Sequence, residues 1–95
     1  MIITDEMKKR IVAILQQAGV KHAAIFGSFA RGEADAGSDL DLLVEFQGEK
    51  TLLDLVALKN RLERTLDMKK VDVITYQSLS PLLRDSILRE QTPVL

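Results

Sequence analysis

Cysteine is missing from all 95 residues. That excludes a disulfide framework and a thiolate zinc ribbon, and it fits a reducing compartment. A charge surplus of either sign is missing too: 13 basic and 14 acidic residues leave a net charge of −1. A protein devoted to gripping nucleic acid carries a broad positive field, and the overall balance provides none. No apolar run approaches the length of a membrane span, and Met1 to Arg10 is charged where a signal peptide would be apolar. Internal repeats, linkers and low-complexity tracts are also lacking. These absences lead us to expect one cytoplasmic domain over residues 1–95, with no membrane partner. What is there is ordinary for a globular chain: 46% hydrophobic residues, enough for one modest core.

The periodicity places the elements. Thr4-Asp5-Glu6 reads as a cap and acidic first turn, and Met7, Ile11, Ile14 and Leu15 recur at helical spacing up to Gly19. A helix over about residues 5–18 is expected. Lys21 to Phe26 reads as a first strand, and Ser28 opens a short helix through Arg31. Residues 33–38 form a turn hinged at Gly37, and a second strand covers Asp39 to Phe46 with Leu40, Leu42, Val44 and Phe46 on one face. From Thr51 a long helix carries a stripe of Leu52, Leu55, Leu58, Leu62 and Leu66. Val71 to Thr75 is a third strand, and Ser80-Pro81 opens a last helix with Leu83, Ile87 and Leu88 on its apolar side. The result is an α/β (α+β) chain in the order α-β-α-β-α-β-α, with a small mixed three-stranded sheet flanked by about four helices.

One stretch, residues 25–46, organises the rest. Asp39 and Asp41 alternate with Leu40 and Leu42, so both carboxylates project from one side of the second strand. They repel unless something positive sits between them, and a hard divalent cation does that well. The short link from the first strand makes the first two strands antiparallel if they are neighbours. The long helix before the third strand makes the second and third parallel. The end of the first strand and the starts of the other two then meet at one edge, bringing Gly27, Ser28, Asp39, Asp41 and Asp72 together. Three carboxylates there could hold a pair of Mg²⁺ ions about 4 Å apart for displacement at phosphorus. The turn at Gly27 and the helix start at Ser28 suit a triphosphate, and Arg31 is placed to clamp phosphate oxygens.

Gly27-Ser28, then Ser38-Asp39-Leu40-Asp41, then the strand carboxylate Asp72, resembles the DNA polymerase beta-like nucleotidyltransferase superfamily. Gly-Ser-Phe-Ala-Arg-Gly at residues 27–32 is similar to its minimal nucleotidyltransferases, which act as antitoxins beside HEPN ribonuclease toxins. The resemblance covers essentially the whole chain. It implies a nucleotidyltransferase fold, two Mg²⁺ ions on Asp39, Asp41 and Asp72, and ATP held by Gly27, Ser28, Arg31 and Ser38. It also implies transfer of AMP to a tyrosine hydroxyl of a HEPN-family toxin, in a hetero-oligomer with that toxin and with no nucleic acid as direct substrate.

Plainer readings stand beside these. Asp-Leu-Asp-Leu alone is a half-exposed strand, Asp67 or Asp85 could replace Asp72 as the third acid, and Arg31 could be a solvated helix residue. His22, the only histidine, reads as structural, Tyr76 as packing and Glu45 as solvated. The P-loop spacing at Gly27–Gly32 fails, because Glu33-Ala34 stands where Lys-Ser/Thr is needed. The EF-hand-like acids of residues 35–46 fail at Leu40 and Phe46. The chain is too short for a separate acceptor domain, so a partner must supply the acceptor, and Val94-Leu95 is a candidate docking surface. The rival functions are a non-catalytic antitoxin that blocks its toxin by binding, and nucleotidyl transfer to a small molecule.

Overall fold

A computed structural model describes residues 4–33, 39–68 and 70–95. Among these, the chain forms α1 (Asp5–Gln17), β1 (Val20–Phe26), α2 (Ser28–Arg31), β2 (Leu40–Phe46) and α3 (Leu52–Leu66). β3 (Val71–Thr75), a 3₁₀ turn at Tyr76–Ser78, α4 (Pro81–Glu90) and β4 (Thr92–Pro93) follow. Each long helix starts where its sequence supplies a cap. The Thr4 hydroxyl accepts from the Met7 N–H at 3.1 Å, and the Ser80 hydroxyl accepts from Leu82 with Pro81 in the first turn. Thr51 and Asp54 cap each other's backbone N–H groups, satisfying two donors that the first turn leaves open.

The sheet runs β3-β2-β1-β4, with β1 antiparallel to both β2 and β4, and β2 parallel to β3. The expected topology is therefore found, but the expected three strands are four. Ala24 and Ile25 of β1 face Pro93 and Thr92, and Val94 donates its N–H to the Ala23 carbonyl at 2.9 Å. Proline is tolerated there because β4 is an edge strand. Val94 and Leu95 pack against the core, so the apolar tail is not a free docking surface as expected. It closes the chain's own sheet.

α1 and α3 lie on one face of the sheet. Ile11, Ile14 and Leu15 meet Leu58 and Leu62 over Ala23, Ile25, Leu40, Leu42, Val44 and Val71. Burying such side chains contributes about 1.5–3 kcal/mol each. The expected α3 stripe is shorter than its sequence suggests: Leu58 and Leu62 are buried, Leu55 and Leu66 pack at the margin, and Leu52 is 74% exposed. Ala24 and Leu43, paired across β1 and β2, are buried on the opposite face. Asp41 and Asp72 belong to that second face, away from the α1–α3 core, by strand alternation.

Candidate active site

β1 ends at Phe26, and Phe26 pairs with Asp41 across the antiparallel ladder. Asp41 in turn pairs with Asp72 across the parallel ladder. Directly opposed residues in neighbouring strands have side chains within reach of each other. The two ladders thus set Asp41 between the end of β1 and Asp72. Asp39 lies immediately before β2.

The chain turns out of β1 at Gly27 with φ +76°. A Cβ there would stand 2.4 Å from the Asp41 Oδ2 atom. The left-handed backbone calls for glycine, and any side chain there would push the Asp41 carboxylate aside. α2 is a single turn, closed by the Arg31 N–H on the Gly27 carbonyl at 3.1 Å. The N–H groups of such a first turn have no intrahelical partner, so they face outward as donors.

Gly27, Arg31, Asp39 and Asp41 line one side of an open cleft of about 540 Å³, and Leu83, Ser86, Ile87 and Glu90 of α4 line the other. The Arg31 guanidinium donates to Glu33 at 3.0 Å and to Glu90 at 3.1 Å. Its hydrogen bond to Glu33 and the nearby Glu90 charge hold it above its ordinary pKa. Among the expected nucleotide residues, Gly27 and Arg31 thus share a cleft with Asp39 and Asp41. Ser28 begins α2, and Ser38 lies outside the described residues.

Burial pushes the Asp41 carboxyl up to about 6, and repulsion from Asp72, the hydrogen bond that protonated Asp41 donates to Asp72, and the Asp39 charge add to that. Sequence reasoning missed Lys70. Its ammonium stands 3.7 Å from Asp39 Oδ2 and 3.9 Å from Asp72 Oδ2, and it draws the Asp41 pKa back down. No short motif marks a lysine before a strand, so only its charge beside Asp72 could have pointed to it. Asp67, the alternative third acid, caps the C-terminus of α3 in a left-handed conformation with φ 52°. Asp85 falls within α4.

Among the described residues, no three acidic or imidazole groups stand close enough to share one ion as their side chains are placed. The donor set still fits a hard cation in kind. It consists of carboxylate oxygens at one sheet edge, where burial first and crowding second keep a proton on one of them to about pH 6.

A mixed sheet with a glycine turn facing paired strand aspartates is the architecture of a nucleotidyltransferase. Residues 9–95 match the family model described as Polymerase beta, Nucleotidyltransferase, and the chain belongs to that family. A Methanocaldococcus jannaschii relative, named as a candidate protein adenylyltransferase, is 55% identical over 96% of this chain and 97% of its own. The solved structure of a candidate minimal nucleotidyltransferase is 41% identical, with a TM-score of 0.81 over 93% of this chain and 89% of that one. A third likeness is to the complex of a tri-AMPylated Shewanella oneidensis HEPN toxin with MNT antitoxin. At 18% identity, a TM-score of 0.74 and coverage of 95% of this chain and 70% of that one, it shows the shared fold.

Proposed function

We propose that the chain is a protein adenylyltransferase antitoxin, moving AMP from ATP to a tyrosine hydroxyl of a HEPN-family toxin and so neutralising it. The observation that carries this reading is the meeting of Gly27, Arg31, Asp39 and Asp41 in one cleft, with Asp72 paired to Asp41. The name of the Methanocaldococcus relative and the AMPylated state of the Shewanella complex support the acceptor class.

In this reading Asp39, Asp41 and Asp72 would hold the two Mg²⁺ ions, which when bound would neutralise charge on the transferred phosphoryl group and make the acceptor hydroxyl more acidic. Gly27 lets the backbone approach the triphosphate, while the N–H groups at Ser28 and after it donate to phosphate oxygens. Ser38, in the same motif as Asp39, is assigned to the nucleotide as well. Arg31 exchanges Glu33 or Glu90 for a phosphate, a bond of the same charge-assisted kind. The tyrosine hydroxyl gives its proton to Asp72, and its oxygen forms a bond to the α-phosphorus. The bond from that phosphorus to the bridging oxygen breaks, and pyrophosphate leaves. No histidine is needed, since such transfer depends mainly on positioning and charge neutralisation.

The test is intact-mass spectrometry of a HEPN-family partner after incubation with this protein, ATP and Mg²⁺. A gain of one or more AMP units, lost with Asp39→Asn/Asp41→Asn, is expected. A stable complex with no mass gain would replace this reading with a toxin blocked by binding alone.

A further inference from the structure

The carboxylates at the sheet edge already have a counter-charge, and it belongs to the chain itself. Lys70 immediately precedes β3, the strand that carries Asp72, and its Nζ lies within 4 Å of both Asp39 and Asp72. Its side chain is 55% exposed, so the ammonium is free to leave for solvent without disturbing packing. An ammonium placed beside Asp39 and Asp72 takes up the space and the negative potential that a divalent ion needs.

We propose that Lys70 is a resident counter-ion of the carboxylate cluster, which a divalent cation must displace, so that Lys70 sets the protein's metal affinity. This rests on the metal reading of Asp39, Asp41 and Asp72. In the metal-free protein the ammonium relieves repulsion among the three acids, which burial makes costly at Asp41. When a cation enters, the same ammonium becomes a like charge at close range and swings outward. It lowers affinity in proportion to the charge it leaves nearby. A lysine suits such an exchange better than an arginine would, being a compact point charge on a flexible stem with no bidentate hold on carboxylate.

The test is Mn²⁺ titration of the nucleotide-free protein, followed by electron paramagnetic resonance at low ionic strength. Wild type, Lys70→Gln, Lys70→Arg and Asp41→Asn are compared. Lys70→Gln is expected to bind Mn²⁺ about three- to tenfold more tightly, Lys70→Arg to stay near wild type or weaker, and Asp41→Asn to lose most of the affinity. Melting in EDTA gives the second readout: Lys70→Gln melts below wild type without metal and gains more from saturating Mn²⁺. Unchanged or weaker Mn²⁺ binding by Lys70→Gln, beside normal binding by wild type, overturns the role of Lys70 and leaves the metal reading standing. Binding that is absent from wild type, or indifferent to Asp41→Asn, overturns both.

Discussion

Gly27 and Asp41 are the two residues whose substitution separates fold from chemistry. An alanine at Gly27 must hold φ near +76° and carry a Cβ 2.4 Å from Asp41 Oδ2. That backbone strain costs about 1–3 kcal/mol, and the clash displaces the carboxylate. Gly27→Ala is therefore expected to melt several degrees lower and to lose AMP transfer by tenfold or more, measured by calorimetry and labelled ATP. Asp41 behaves oppositely. Its folded pKa, about 6, lies above the ordinary 3.8. As pH rises from about 4 to 6, the unfolded chain gives up this proton before the folded one does, so the group makes the metal-free protein progressively less stable. Above pH 6 the penalty is complete. Discounted for partial solvent exposure, it amounts to about 1 kcal/mol. Asp41→Asn should thus raise the metal-free melting temperature at pH 7 by a few degrees, leave it unchanged near pH 3.5, and abolish transfer. An Asn variant that melts no higher in EDTA at pH 7 would remove the cost of charging the half-buried Asp41 from the account of this site.

Among the elements, α3 and β4 carry the sharpest contrast between what the sequence announces and what the fold does. α3 is announced at its start and along its length: Thr51 and Asp54 form a capping box, and Leu58 and Leu62 repeat at helical spacing. Thr51→Ala should cost about 1 kcal/mol, seen as a lower urea midpoint with an unchanged slope. β4 is not announced at all. It is only Thr92–Pro93, too short for alternation to show, and it includes the residue type that most often ends strands. Its stability comes from a partner far away in sequence, β1, and from Val94 and Leu95 against the core. A chain ending at Gln91 should melt markedly lower and self-associate in sedimentation, because it bares the β1 edge and part of the core. α2 shows the reverse case: Ser28 to Arg31 form the turn expected of them, although one turn has little intrinsic stability.

For the whole molecule, the topology was legible because loop lengths constrain it. A short link forces β1 and β2 antiparallel, and a helical crossover makes β2 and β3 parallel. The placement of Asp39, Asp41 and Asp72 at one edge followed from those two rules. Lys70 did not, because its importance depends on the side chains it meets and not on a pattern in its neighbourhood. The exposure of Leu52 likewise escaped, since a helical stripe gives direction but not how far the opposing surface extends. The crossover has one more consequence, in time. Asp41 and Asp72 meet only when β3 docks beside β2, after α3 has crossed over the sheet between them. A parallel pair is a non-local contact, and such contacts form late because the intervening chain must first be closed into a loop. No local fragment of the chain holds the cluster, so the site is complete only once β2 and β3 have paired.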